Sequence, residues 1–100
     1  MRSLREEAKG RDCCVRIPGI CNKNPETVVL AHLNNKSLFG VGVGQKVPDI
    51  FGAWACSACH DAVDSRNFGI CDYDVVKVAF YEGVFRTQNI LLQEGKICTT

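Results

Sequence analysis

The sequence lacks an apolar segment long enough to cross a membrane, and it lacks the apolar core of a secretory signal. The longest apolar run, residues 50–56, has about a third of the roughly 20 residues that a spanning helix requires. Four of the six residues after Met1 are charged, whereas a signal peptide places apolar residues soon after its start. We therefore expect a cytoplasmic protein with no membrane partner.

An excess of charge of one sign is also absent, because the formal net charge of the 100 residues is only +1. A hydrophobic content of 46% excludes a disordered tail and is typical of one globular domain, which we expect to span residues 1–100. Residues 1–16 hold five basic and three acidic side chains, whereas residues 61–100 hold four and six. This early basic excess is compatible with phosphate contacts, but it is weaker than the basic surface typical of nucleic-acid-binding domains.

Cysteine, in contrast, is abundant, with seven in 100 residues. A core this small often needs disulfides or a metal ion for stability. A reducing cytosol disfavours disulfides, and an odd number cannot be fully paired, so a metal is the better explanation. We predict that two pairs, one with the spacing C-x-x-C and one wider, hold a structural Zn²⁺ ion, against the alternatives of metal-free buried thiols or a redox role. The predicted ligands are Cys13, Cys21, Cys56 and Cys59. The predicted buried, non-ligating cysteines are Cys14, Cys71 and Cys98.

Local patterns predict a mixture of helices and strands. A capping-box pattern, S-x-x-E, begins at Ser3, and Gly10 is suited to end the helix that follows. The other predicted elements are a strand over residues 28–33, a glycine-containing loop over 34–48, a strand over 49–55, a helix from Ser57 or Cys59 to about Arg66, and a helix over residues 73–93.

The longest predicted helix carries two adjacent apolar stripes. The first consists of Val76, Phe80, Val84 and Leu91, and the second of Val75, Val78, Phe85 and Leu92. So wide an apolar face predicts the main packing element of the domain. It could also support self-association, so a homodimer is a second interpretation of the same pattern.

Both histidines stand where they could take part in chemistry. His32 ends the first predicted strand, and His60 directly follows the C-x-x-C pair. Asp64 lies four residues after His60 and therefore shares its helix face. Each feature alone has a structural explanation, because a lone histidine on an apolar strand is often a hydrogen-bonded core residue and acidic residues are favoured early in a helix.

Taken together, the order of strand, histidine, loop, strand, C-x-x-C-His and helix resembles the ββα-metal finger of HNH (His-Me finger) endonucleases. The sequence is closer still to the small prophage-encoded nucleases of the YbcO type, over most of its length. The similar segments are Gly10-Arg11-Asp12-Cys13, Val15-Arg16-Ile17-Pro18-Gly19, Cys21-Asn22, Asn24-Pro25-Glu26-Thr27, Leu30-Ala31-His32, Pro48-Asp49, Ala55-Cys56-Ser57-Ala58-Cys59-His60-Asp61 and Arg86-Thr87-Gln88.

The resemblance implies an α+β fold, namely a small zinc-stabilised ββα-metal domain with additional helices. It also implies that the protein hydrolyses phosphodiester bonds in DNA. It implies that His32 is the general base and that His60 binds a catalytic divalent ion such as Mg²⁺ or Mn²⁺. Ala31 stands where many HNH enzymes carry a metal ligand. Asp49 is the best positional substitute for their middle asparagine and is a candidate ligand of the catalytic ion, as is Asp64.

Two assignments stay open at this point. The middle asparagine could instead be Asn34 or Asn35 if the loop folds back. The alternative function is a non-catalytic zinc-containing module that binds nucleic acid or a phage or host recombination protein. Basic residues that could contact DNA phosphates, each of which could equally be a solvated surface charge, are Arg11, Arg16, Lys23, Lys36, Lys46 and Arg66.

Overall fold

The computed structural model describes residues 3–32, 48–64 and 73–98, with the backbone alone for Asp64 and Tyr73. The described residues form a small α+β fold with a two-stranded antiparallel sheet. Its helices and strands are α1 (Leu4–Glu7), β1 (Val29–Ala31), β2 (Ala53–Ala55), α2 (Ser57–Asp64) and α3 (Tyr73–Gln93). The predicted loop, apart from Pro48, lies outside the described residues.

The first helix begins as the sequence predicts, but it ends earlier, at Glu7, with Ala8 as its C-cap and Gly10 in the turn that follows. The Ser3 hydroxyl accepts a hydrogen bond from the backbone N–H of Glu6 at 3.3 Å, which caps the first turn. Gly10 has a φ of +76°, a conformation that favours glycine. The predicted limits of α3 are also confirmed.

The second predicted strand is shorter than expected, because residues 49–51 form a 3₁₀ turn instead. The backbone N–H groups of Phe51 and Gly52 donate to the carbonyls of Pro48 and Asp49, and these bonds take the place of strand pairing. At Gly52 a Cβ atom would lie 2.8 Å from a side-chain carbon of Leu30, so the chain enters β2 at a close approach that only glycine permits. The strand prediction was therefore wrong for residues 49–51 and correct for 53–55.

Helix α3 is the main packing element, as predicted. Of the first stripe, Val76, Phe80 and Leu91 are buried. The Thr87 hydroxyl accepts a hydrogen bond from the backbone N–H of Trp54 in β2 at 3.0 Å. These contacts fix the helix across the sheet.

The second stripe of α3 is exposed, with Phe85 70% accessible and Val78 56% accessible. Self-association through this surface stays a prediction. Although α3 has 21 residues, no helix within the described ranges combines the length and apolarity needed to cross a bilayer.

Helix α3 approaches the cysteine-bearing segment closely at Gly83. A Cβ atom on Gly83 would lie 2.9 Å from the Val15 Cγ2 and 3.0 Å from its Cα. We expect Gly83→Ala to destabilise the protein by about 1–3 kcal/mol, because the overpacking meets backbone that cannot move freely. This cost exceeds the gain of up to about 1 kcal/mol that alanine brings to a helix interior.

Chemical denaturation of Gly83→Ala, followed by circular dichroism, measures this effect. Asn89→Ala, at an exposed position of the same helix, is the matched control and is expected to be neutral or slightly stabilising. A Gly83→Ala protein at least as stable as the unsubstituted chain would contradict the close packing.

An ion-pair cluster joins the N-terminal helix to the residues after α3. The buried Glu7 carboxylate lies 2.6 Å from the Lys96 Nζ and 3.1 Å from Arg11. Arg11 also forms two hydrogen bonds with Glu94, at 2.5 and 2.6 Å, and these lower the pKa of Glu94 to about 2. The Arg11 guanidinium lies 4.8 Å from the centre of the Trp54 ring. Arg11, a candidate phosphate contact, is thus paired within the protein, and we leave it out of the proposed DNA contacts.

Candidate metal centre and catalytic site

The four cysteines predicted as zinc ligands lie together. Their sulfur atoms are all within 4.8 Å of one another, and those of Cys21 and Cys56 are 3.9 Å apart. A tetrahedral zinc site with Zn–S distances near 2.3 Å requires sulfurs about 3.8 Å apart, so the cluster is close to this geometry. The group, Cys13, Cys21, Cys56 and Cys59, could therefore hold a metal ion such as zinc.

Two parts of the chain supply these thiols. Cys56 follows β2 directly and Cys59 lies in the first turn of α2, so the helix start brings both sulfurs to one side. Cys13 and Cys21 flank a turn in which the N–H groups of Ile20 and Cys21 both donate to the Ile17 carbonyl. The wider pair thus reaches the same point as the C-x-x-C pair because its intervening residues fold back.

The environment of the sulfurs favours one thiolate within the cluster. The backbone N–H groups of Arg16 and Asn22 donate to the sulfurs of Cys13 and Cys56, each at 3.5 Å. The pKa of Cys13 is lowered to about 4, chiefly by a hydrogen bond from the Cys59 thiol and also by the Arg16 N–H. The pKa of Cys59 is raised, because its proton is held in this bond and because the residue is buried. A thiolate among thiols with supporting N–H donors is a donor set suited to a dication.

Side chains next to the cluster fix the start of α2. The Thr27 hydroxyl accepts a hydrogen bond from the backbone N–H of Ser57 at 3.2 Å, and Asn22 donates to the Ser57 hydroxyl at 3.1 Å. The Asn24 side chain in turn caps the 3₁₀ turn Pro25–Thr27. Sequence reasoning missed these roles. The Asn-Pro-Glu-Thr segment is a local pattern that predicts the cap. Its contact with α2 joins residues that are distant in the sequence, which no local pattern predicts.

A histidine–carboxylate pair lies where β1 ends and the 3₁₀ turn before β2 begins. The Nε2 of His32 is 2.7 Å from the Oδ1 of Asp49, and both side chains are partly exposed. The Nε of Arg5, in α1, lies 3.6 Å from the same oxygen. The pKa of Asp49 is lowered, first by the hydrogen bond from His32 and also by the positive charge of Arg5.

This contact determines what His32 can do chemically. An ionised carboxylate only accepts hydrogen bonds, so the Nε2 of His32 carries the proton in the pair. The Nδ1 of the neutral ring is then the basic nitrogen and can accept a proton from water. The sequence predicted both residues as site residues, but it did not predict their contact.

Among the described side chains, His60 does not join this pair in a group of three potential metal ligands. His60 is half-buried in the first turn of α2. Among the side chains that the structure describes, the cysteine cluster is the only group of three or more potential ligands close enough to share an ion. The side chain of Asp64 is not described, and Lys36, Lys46 and Arg66 lie outside the described residues.

The non-ligating cysteines differ from the prediction at one position. Cys14 is buried, as predicted, and the pKa of its thiol is raised by burial. Cys98 is exposed, so its predicted packing role was wrong, because the chain has by then left α3. Cys71 lies outside the described residues.

Known proteins are similar to this chain over nearly its whole length. A family model described as "Putative nuclease YbcO" matches residues 2–96. Curated proteins with the same description, from Escherichia coli (strain K12) and Enterobacteria phage 82, are each 50% identical over 97 residues, which cover 97% of this chain and 98% of theirs. A solved structure described as that of a putative bacteriophage protein from Escherichia coli K-12 is 46% identical, with a TM-score of 0.75, and covers 93% of this chain and 100% of its own.

Proposed function

The chain belongs to the YbcO family, and on that premise we propose that it is a metal-dependent DNA endonuclease of the HNH (His-Me finger) type. The His32–Asp49 pair is the observation that carries this proposal, because a histidine that donates Nε2–H to a carboxylate keeps Nδ1 as its basic nitrogen. The antiparallel pair β1 and β2 followed directly by α2 supports a ββα-metal interpretation of the fold.

In this mechanism His32 is the general base. Its Nδ1 accepts a proton from the water molecule that attacks the scissile phosphate. Asp49 is proposed as a positioning residue rather than the metal ligand expected from the sequence, because its Oδ1 lies within hydrogen-bonding distance of His32. It holds the ring in one orientation and one tautomer and stabilises the imidazolium that forms. Arg5 supports the carboxylate from α1.

His60 is the proposed ligand of a catalytic divalent ion such as Mg²⁺ or Mn²⁺. Its place in the first turn of α2 puts it at the helix end whose N–H groups favour phosphate. Asp64 is four residues further along the same helix, a spacing that allows both side chains to approach one ion. When bound, such an ion would polarise the phosphate and stabilise the leaving oxygen.

The cysteine cluster is the proposed structural Zn²⁺ site. Four cysteine ligands form a closed site with no open position for substrate. The cluster joins the segment before β1 to the start of α2, so it holds in place the helix that carries His60. Structural and catalytic metals are therefore separate in this proposal.

Incubation of the zinc-loaded protein with supercoiled plasmid DNA, in the presence of Mg²⁺ or Mn²⁺, tests the proposed function. We expect nicked and linear products that appear only when the divalent ion is added. Single-stranded and branched DNA substrates extend the assay, because the site does not itself specify a DNA structure. Folded, zinc-loaded protein that cleaves none of these substrates with either ion would contradict the proposal.

A non-catalytic zinc module that binds nucleic acid is the second candidate function. It is favoured by Ala31, which has no metal-binding group at a position where many HNH enzymes have a ligand. It is also favoured by the lack of a second cluster of potential metal ligands among the described side chains. DNA binding without cleavage in the same assay would support it, with a phage or host recombination protein as a further partner.

A further inference from the structure

Two cationic residues beside the cysteine cluster adopt backbone conformations that favour glycine. Arg16 has a φ of +54° and Lys23 a φ of +57°, and they are the only non-glycine residues with positive φ among those described. The left-handed conformation costs a residue with a Cβ atom roughly 1–2 kcal/mol. Each follows a ligating cysteine closely, Arg16 three residues after Cys13 and Lys23 two residues after Cys21.

The cluster explains the backbone conformation but not the side chains. The Arg16 N–H donates to the Cys13 sulfur at 3.5 Å. The Lys23 N–H donates to the Cys21 sulfur, where it opposes the rise in pKa that burial causes. Glycine would present the same N–H groups without the steric cost. The presence of arginine and lysine instead points to a role for their side chains.

The two side chains border one cavity. It has a volume of about 420 Å³ and lies beside the turn between Cys13 and Cys21. Its lining residues are Asp12, Cys13, Arg16, Ile17, Pro18, Gly19, Cys21 and Lys23. Asp12 supplies the only carboxylate in this lining, whereas Arg16 and Lys23 supply two positive charges.

Both cations are available to a ligand. The Arg16 Nε donates to the Cys13 carbonyl at 3.0 Å, which orients the guanidinium but uses only one of its five donors. Neither Arg16 nor Lys23 forms an ion pair with a carboxylate of the described residues. Arg11 and Lys96, in contrast, are each paired with Glu7 and Glu94.

We propose that this cavity binds a backbone phosphate of DNA through Arg16 and Lys23. The inference rests on the proposed function, since it places the substrate on the zinc-cluster face of the nuclease. A zinc ion with four thiolates carries two negative charges and Asp12 carries one more, so the phosphate would be held by charge-assisted hydrogen bonds from the two side chains and not by a net positive charge. Their exposed ends still face a cavity that can admit a phosphate, and a phosphate contact positions DNA without selecting its sequence.

Glycine substitutions test the inference without adding strain to the fold. Arg16→Gly, Lys23→Gly and the double variant are made in a His32→Ala parent, so that DNA is bound but not cut. Affinity for a short DNA duplex is measured by fluorescence anisotropy between 50 and 200 mM salt (the range over which phosphate contacts weaken strongly). Lys9→Ala, which removes an exposed charge away from the cavity, is the matched control.

We expect each glycine variant to bind DNA more weakly, on the order of tenfold at the lower salt concentration. The slope of log K against log salt should fall by about one per residue, and by about two in the double variant. Zinc content and the unfolding midpoint should be retained, because glycine relieves the left-handed strain. Lys9→Ala should match the parent closely.

Unchanged affinity and slope in the double variant would overturn the inference while leaving the proposed function intact. Loss of zinc with unchanged DNA binding would also overturn the inference, because the two positive charges would then serve only to balance the thiolates. A zinc-loaded parent that binds neither duplex, single-stranded nor branched DNA at any salt concentration would instead contradict the proposed function, and this inference with it.

Discussion

His32→Ala is expected to reduce the rate of DNA cleavage by about 10²–10⁴-fold, the range that a positioned general base contributes. The side chain is 27% exposed, so its removal leaves no buried cavity and the fold should be retained. The rate of plasmid nicking at saturating divalent ion measures the effect. Circular dichroism and zinc content establish that the variant is folded. A folded variant that cleaves at the unsubstituted rate would contradict the role of His32.

Asp49→Asn separates positioning from metal binding at the same site. An amide of equal size keeps a partner for the ring but no longer fixes the tautomer or stabilises the imidazolium, so we expect a loss of up to about 10⁴-fold in kcat. The dependence of the rate on divalent-ion concentration should be unchanged. Glu26→Gln, an exposed carboxylate on the turn before β1, is the matched control. A large shift in the ion concentration required, with little change in maximal rate, would return Asp49 to a ligand role.

Cys56→Ser and Cys59→Ser are each expected to abolish the folded state under ordinary conditions. Structural zinc contributes roughly 10–16 kcal/mol of apparent binding free energy in small zinc-dependent folds. That is comparable to the whole stability of a typical domain, about 5–15 kcal/mol. Both residues are completely buried. Cys56 lies between β2 and α2 and Cys59 lies in the first turn of α2, so we expect loss of the ion to release the sheet from the helix.

The single tryptophan reports this unfolding directly. Trp54 is 1% exposed in β2, so its fluorescence should shift to longer wavelength when the sheet is released, and zinc should fall from about one ion per chain to none. Cys98→Ser is the matched control, since Cys98 is exposed and outside the cluster. Chelation of the unsubstituted protein should reproduce the effect. A natively folded protein without metal would contradict the zinc assignment.

The sequence predicted best what depends on short spacing. The C-x-x-C pair lies within one helical turn, and the apolar periodicity of α3 continues over 21 residues, so local geometry determines both. The wider pair, Cys13 and Cys21, lies beside the C-x-x-C pair as predicted. The prediction was possible because a structural zinc site requires four ligands and few other cysteines are spaced as a pair.

Contacts between distant parts of the chain could not be predicted in this way. Asp49 meets His32 across 17 residues, and Arg11 meets Glu94 across 83, distances over which no local pattern specifies a partner. The residue types at positions 49–51 did not distinguish a 3₁₀ turn from a strand. The positive φ of Arg16 and Lys23 likewise comes from hydrogen bonds to sulfur and not from side-chain preference.

The short helix α1 contacts both the His32–Asp49 pair and the ion-pair cluster at the end of α3. Arg5 contacts Asp49 beside the proposed base, and Glu7, two residues later, holds Arg11 and Lys96. Local opening of the C-terminal turn would therefore loosen α1 and, through Arg5, the environment of His32. We therefore expect amide groups in α1 and after α3 to exchange with solvent as one cooperative unit, so that the ordering of the proposed base depends on a region of the chain outside the proposed site.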